Sequence, residues 1–195
     1  MEKYHFFAML SRMKYITRWG LMNNTRCENI SEHSLQVAML AHFLVLIHNK
    51  NGGSLNAERA ALLGMYHDAT EIITGDMPTP VKYYNPDIVK SYKEIEHKAG
   101  EKLVSMLPGE FAADFANIIL MENKDDEALL VFVKAADKLS ALIKCIEEIR
   151  MGNDEFRQAK EATEKSLKEM RLPEAEIFRE KYLPSFSLTL DELNN

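Results

Sequence analysis

Apolar residues recur at helical spacing along nearly the whole chain, and no segment alternates with the period of two that marks a half-buried strand. Phe6, Met9, Leu10, Met13 and Ile16 follow the i, i+3, i+4, i+7 rule and predict a first amphipathic helix, with Arg18-Trp19 at its end. A polar, turn-rich segment over 20–29 breaks it. Ser31 then reads as an N-cap for a second helix, with His33 in its first turn and an apolar run over 35–47. Residues 49–54, rich in Asn and Gly, read as a loop. Asn56 predicts the N-cap of a third helix over 57–73, apolar on nearly every side and therefore buried. Gly75 ends it, and Pro78 and Pro80 prevent its continuation.

Asn85-Pro86 is a cap followed by proline at the first helical position. It opens a helix through Ile88, Tyr92, Ile95, Ala99 and Leu103 that stops at Pro108-Gly109. A short helix over 111–121 follows. Asp125 or Asp126 then caps a long helix running to about residue 149, with Leu129, Phe132, Val133, Ala136, Leu139, Leu142, Ile143 and Ile146 inward and Asp137 in its middle. Gly152-Asn153 breaks the chain. A polar helix over 154–171, another over 173–182 and an extended tail over 184–190 complete the pattern. The expected architecture is all-α. It is one domain over 1–195, with a core at about 28–150 and C-terminal helices over about 153–195 packed on it as an appendage.

Composition narrows the function. A chain of 195 residues can bury a sizeable core without disulfides. Cys27 and Cys145 make no framework, which suits a reducing compartment. The formal net charge of −6, with Lys and Arg interleaved among Asp and Glu, excludes a polynucleotide partner. A single nucleotide is not excluded, because one phosphate needs only one or two cations. No basic-then-apolar leader opens the chain, and no run approaches about 18 uncharged apolar residues. The expectation is a cytoplasmic protein that does not engage a membrane.

The chemistry gathers around His67-Asp68. His33 precedes this pair and Asp137 follows it, each on a separate apolar helix. On an unbroken helix His67 and Glu71 are four apart and Asp68 and Glu71 three apart, so all three point to roughly one side. Two imidazoles and two carboxylates suit a first-row divalent ion and leave positions open for water and substrate. Glu71 is then the group to hold that water and move its proton. Each residue also has a plainer reading. His33 beside a cap could be an ordinary first-turn histidine. Asp137 could be a satisfied core polar group, although a carboxylate beside Val133, Ala135, Ala136 and Leu139 is costly unless paired or metal-bound. Arg18-Trp19 fits a phosphate fork and a sugar or base wall, but spacing alone favours a core tryptophan capped by a solvent-facing arginine. The loop Asp76-Met77-Pro78-Thr79-Pro80 fits a pocket wall or a helix stop. Glu94-Ile95-Glu96-His97 occurs once, whereas a di-metal carboxylate site needs two copies, so it reads as a solvated helix face. His5, His42 and His48 read as ordinary helix residues.

The set His33, His67-Asp68 and Asp137 resembles the HD-domain phosphohydrolases. Further segments resemble the bacterial HD-domain 5′-deoxynucleotidases: His5-Phe6-Phe7-Ala8, Arg18-Trp19, Glu28-Asn29-Ile30-Ser31-Glu32-His33-Ser34-Leu35-Gln36-Val37-Ala38, Met65-Tyr66-His67-Asp68, Gly75-Asp76-Met77-Pro78-Thr79-Pro80-Val81-Lys82 and Pro184-Ser185-Phe186. The resemblance implies an HD-domain helical bundle. It implies hydrolysis of deoxyribonucleoside 5′-monophosphates to deoxyribonucleoside and phosphate, selective against ribonucleotides, by a cytoplasmic homodimer using cobalt or manganese. It makes His33, His67, Asp68 and Asp137 the metal ligands, and Glu71 the catalytic acid/base. Arg18 orients the phosphate, and Trp19 crowds the 2′ position. Asp76, Met77, Pro78 and Thr79, with His33, Asp68 and Asp137, line the substrate site. Gly64, Thr70 and Met77 depart from the pattern it resembles. The alternatives are another HD-family phosphohydrolase acting on a different nucleotide, or a non-catalytic nucleotide-binding helical module.

Overall fold

The computed structural model describes residues 3–82 and 84–194. Met1, Glu2, Tyr83 and Asn195, which the single-domain reading over 1–195 includes, lie outside the described residues. The fold is all-α. Among the described residues the one extended pairing is an antiparallel bridge between Thr17 and Asn29.

The first predicted helix is two pieces: α1 (Phe6–Leu10) passes directly into a 3₁₀ turn (Ser11–Tyr15). Arg18-Trp19 therefore lies beyond the helix, at the bridge. The second helix, α2 (Ile30–Lys50), is capped by Asn29 and not by Ser31. The Asn29 Oδ1 accepts from the backbone N–H of Ser31 at 3.0 Å and of Glu32 at 3.1 Å. Asn56 caps α3 (Ala57–Tyr66) as expected, its Oδ1 accepting from the Arg59 N–H at 2.8 Å.

The third helix does not run on to residue 73. It stops at Tyr66, residues 67–70 form a turn, and a short α4 (Glu71–Thr74) follows. The Ala69 N–H reaches the Tyr66 carbonyl and the Glu71 N–H the Asp68 carbonyl, both at 3.0 Å, the tighter three-residue spacing. His67, Asp68 and Thr70 are poor helix residues whose polar side chains compete for the backbone. Gly75, at φ 75°, ends α4 in a left-handed conformation that favours glycine. Pro80 does not exclude a helix: it sits in the first turn of α5 (Thr79–Lys82), where a missing N–H costs little.

Asn85 caps α6 (Pro86–Val104), with α7 (Gly109–Ile119) next. Asn123, not Asp125 or Asp126, caps the 3₁₀ turn Lys124–Asp126 that leads into α8 (Glu127–Arg150). A 3₁₀ turn (Asp154–Phe156) precedes α9 (Arg157–Glu169), and α10 (Pro173–Lys181) follows. The tail expected to be extended is instead a 3₁₀ helix (Leu183–Ser187) and α11 (Leu190–Leu193), the latter closed by a Thr189–Glu192 capping box.

By length and mean hydropathy α2 is apolar enough to cross a membrane, although Glu32, His33, Gln36 and His42 keep it from being the uncharged apolar run that the sequence reading excludes. Half of that apolar window is buried within the protein, where Ile30, Val37, Ala41, Leu44 and Val45 are fully inaccessible. It is a core helix.

The chain forms two compact units interleaved in sequence. The first comprises Met1–Met22, Cys27–Leu35 and Met65–Glu127. Its core is Phe6, Ala69, Leu103, Leu107 and Ile119, with the Phe6 and Phe115 rings edge to face at 4.8 Å. The second comprises Asn23–Arg26, Gln36–Gly64 and Ala128–Asn195, so the Gly152-Asn153 break lies inside it. Here the Ser140 hydroxyl donates to Gln36 at 2.6 Å, tying α8 to α2, and His48 bonds Glu174 at 2.9 Å.

The second unit also holds a fully buried carboxylate, Glu148. It accepts from the backbone N–H groups of Thr25 at 2.9 Å and Arg26 at 3.1 Å, from the Asn153 amide at 2.8 Å, and from the buried Lys144 ammonium. Burial alone would push the Glu148 carboxyl up, but these four donors override it and hold it at about 2. A depressed carboxylate stabilises the fold above its ordinary value of 4.5 and loses that contribution as pH falls toward 2. Glu148→Gln should therefore flatten the loss of stability between pH 4.5 and 2 in urea-unfolding titrations. Glu148→Ala, which strands the Lys144 charge, should cost on the order of 3–5 kcal/mol at neutral pH. A neutral-pH loss within experimental error of zero would refute this account of the network.

Candidate active site

His33 lies in the first turn of α2 and is fully buried. Its backbone N–H donates to the Asn29 carbonyl at 3.1 Å, so the cap that starts the helix also seats this histidine. His67 and Asp68 occupy the turn just beyond α3. The Asp68 Oδ2 lies 3.1 Å from His67 Nε2 and 3.5 Å from His33 Nε2, and the two rings are 5.2 Å apart at 57°. One donor atom from each of the three residues falls within 4.8 Å of the others. Two imidazoles and a carboxylate, converging in a mostly buried place, fit a first-row divalent cation. The unbroken helix expected from sequence is thus replaced by a turn, and the group the fold brings together is His33, His67 and Asp68. Asp137 is half-buried in the middle of α8, in the second unit, and is not a member of this three-residue group.

Glu71 opens α4 and is 6% exposed. Its Oε2 is buried and has no hydrogen-bond partner among the described residues. Burial first, then the Asp68 and Asp76 carboxylates, push its carboxyl up to about 10, against the opposing charges of Lys82 and Arg18. Asp76 follows Gly75 and is also raised. Burial is the main cause and Asp68 adds to it, while Arg18, the Trp19 backbone N–H that donates to it, and His33 oppose it. Met77 and Pro78 are half-buried beside it, and Thr79 is exposed at the start of α5.

Arg18 is not the exposed fork that its position suggested: its side chain is 12% exposed. Its Nη1 donates to Glu28 Oε2 at 2.8 Å, and the Trp19 Nε1 donates to the same oxygen at 2.9 Å. Trp19 adopts φ 60°, a left-handed backbone unfavourable for a bulky residue and therefore one that its surroundings impose. No spacing rule predicts contacts between loops, so the sequence pattern assigns no role to Glu28 or to Lys82. Its Nζ lies 3.0 Å from Glu96 and 4.8 Å above the Tyr92 ring, and its charge reaches Glu71. The Tyr92 hydroxyl in turn donates to the Gly75 carbonyl at 3.3 Å, which pins the turn before Asp76. The Glu94 to His97 stretch remains on the surface, with His97 pairing Glu122 at 3.0 Å.

This geometry has relatives. A family model described as 5′-deoxynucleotidase YfbR-like matches residues 5–186. The chain is 54% identical over 195 residues to a 5′-deoxynucleotidase of Vibrio parahaemolyticus, covering 100% of both. Among solved structures, an HD-domain phosphohydrolase from Listeria innocua superposes with a TM-score of 0.82 at 21% identity, over 98% of this chain and 92% of that one. The cyanophage S-2L HD phosphohydrolase, bound to dA and one catalytic Zn²⁺ ion, superposes with a TM-score of 0.65 at 17% identity, over 91% and 96% of the two chains. The two structural likenesses establish the HD-domain helical fold. Family model and full-length identity together place the chain in the YfbR-like 5′-deoxynucleotidase family.

Proposed function

We propose that this chain hydrolyses deoxyribonucleoside 5′-monophosphates to deoxyribonucleoside and phosphate, and that it excludes ribonucleotides. The observation that carries the reading is the convergence of His33, His67 and Asp68 within 4.8 Å, in the same unit as a buried carboxyl, Glu71. As a member of its family the protein is a phosphoric monoester hydrolase that depends on a metal.

His33, His67, Asp68 and Asp137 would hold the divalent cation, with cobalt or manganese as the ions proposed. When bound, such a cation supplies charge that polarises a phosphoryl oxygen and acidifies a water. Glu71 takes the proton of the attacking water at Oε2 and passes it to the O5′ of the leaving nucleoside. The support for this role is an oxygen buried without a protein hydrogen-bond partner. With only protein charges around it Glu71 keeps its proton at neutral pH, and a cation beside Asp68 draws that value down. Arg18 orients the phosphate, and Trp19 crowds the 2′ carbon of the sugar. Asp76, Met77, Pro78 and Thr79 line the sugar and phosphate side. Phosphate-ester hydrolysis is among the slowest uncatalysed reactions, so charge stabilisation and proton management are both required.

The same reading includes a cytoplasmic homodimer. Leu35, Met39 and Leu46 form an exposed apolar stripe on α2 that supports self-association.

Two measurements test the reading. Metal-stripped protein should release no phosphate from dAMP. Adding back cobalt or manganese should restore release from dAMP while AMP stays inert. Equal release from both nucleotides would remove the sugar selectivity, and none from either would remove the substrate assignment. Glu71→Ala should lower kcat by roughly 10²–10⁴-fold while metal content and nucleotide binding persist. Near-normal turnover in that variant would transfer the acid/base role to another group.

A further inference from the structure

Arg18 and Trp19 are adjacent in sequence, but helix spacing cannot explain how two large side chains on a loop come to hold fixed orientations. The backbone supplies part of the answer. The Arg18 N–H donates to the Glu28 carbonyl at 2.9 Å, and the Ile30 N–H donates to the Ile16 carbonyl at 3.0 Å. With the Thr17–Asn29 bridge, these bonds lay residues 16–18 along residues 28–30. The 28–30 segment leads into α2, whose cap Asn29 also accepts the His33 backbone N–H.

The side chains supply the rest. One oxygen, Glu28 Oε2, accepts from both the Arg18 guanidinium and the Trp19 indole. Arg18 and Glu28 are 12% and 14% exposed, so these charge-assisted bonds are poorly replaced by water. The guanidinium also lies 5.7 Å from the centre of the Trp19 ring. From the other side, Asp76 accepts the Trp19 backbone N–H. Two carboxylates therefore hold the dipeptide, which accounts for a tryptophan kept at φ 60°.

We infer that Glu28 is a positioning residue of the reaction, fixing Arg18 and Trp19 through one carboxylate oxygen so that phosphate orientation and sugar discrimination are set together. This rests on the roles proposed above for Arg18 and Trp19. Misplacing either side chain by about 1 Å is enough to cost about a hundredfold in rate where orientation matters. Glutamine at this position keeps an oxygen that can accept from both donors. Alanine removes it, and aspartate retracts it by one methylene.

Trp19 is the single tryptophan of the chain, so its fluorescence reports the clamp without substrate or turnover. The experiment compares the metal-loaded wild-type chain with Glu28→Ala, Glu28→Asp and Glu28→Gln. It measures acrylamide quenching of Trp19, and kcat and KM on dAMP and AMP. Glu28→Ala should raise the quenching constant severalfold. It should also lower kcat/KM on dAMP and the dAMP-to-AMP ratio by about tenfold each, with metal content unchanged. Glu28→Gln should recover most of the quenching protection and of the ratio. If Glu28→Ala does not fold, Glu28→Asp decides, with the same direction of change expected. A folded Glu28→Ala or Glu28→Asp with wild-type quenching and a wild-type ratio would overturn the inference. Failure of the wild type itself to prefer dAMP would instead count against the proposed function, and the quenching comparison would still judge the clamp.

Discussion

Within one unit the Asp68 and Asp76 carboxylates both push the Glu71 carboxyl up, Asp68 pushes Asp76 up as well, and Glu71 is almost wholly buried. Such a cluster is unfavourable for a folded chain built of its own groups alone. Burying like charges together is costly, and a protein meets that cost by neutralising a group or by pairing it. This site uses both routes. Glu71 is driven to its neutral form, and Asp68 lies against two imidazoles. Lys82 and Arg18 stand at the periphery and reduce the remainder. A carboxylate beside two histidine nitrogens is the donor set that fits a divalent cation.

Helix ends position these groups. His33 is in the first turn of α2, His67 and Asp68 directly follow α3, Glu71 begins α4, and Asp76 follows the glycine that ends it. An end leaves backbone groups unspent and lets successive side chains leave the helical path. Adjacent residues can then face one point, which the middle of a helix does not allow. The cost is that the ends must be held. Asn29, Gly75 and the Tyr92 hydroxyl hold them, and Glu28 extends the same scaffold to Arg18 and Trp19. Strain at Trp19 and the unsatisfied oxygen of Glu71 are concentrated where the chemistry is, and the long helices around them are regular.

Helical periodicity was enough to read the elements themselves, because apolar spacing is a local property. The helices α2, α6, α8 and α10 lie close to where their spacing and caps put them. The errors fall where a local rule has a competitor. Asn29 and not Ser31 is the cap: both are good caps, and the pairing of Asn29 with Thr17, which no local rule shows, distinguishes them. The expectation of one helix through 57–73 fails at His67 because apolar continuity masks three weak helix formers, and in the fold the backbone there tightens to three-residue spacing. The 184–190 tail looked extended because Pro184 and the β-branched Thr189 obscure a capping box that ends in Glu192. Of the site, the residue types that bear chemistry were legible: a histidine or an aspartate in an apolar run is conspicuous. Glu28 and Lys82 were not, because a charged residue in a polar stretch is unremarkable until another segment arrives beside it.

Gly64 shows packing overriding helix propensity. It stands out as a departure from the resembled sequence pattern, and in the middle of a helix glycine costs about 0.5–1 kcal/mol relative to alanine. A methyl group there would lie 3.0 Å from the Ala38 Cα and 3.1 Å from its backbone nitrogen, with the Val37 carbonyl carbon at 3.3 Å. The backbones of α2 and α3 thus meet with only hydrogen between them. Helix stability is given up at Gly64, and close approach of two backbones is held in return. An added methyl group must shift a backbone, because neither Ala38 nor the main chain of Val37 has a flexible end that could yield.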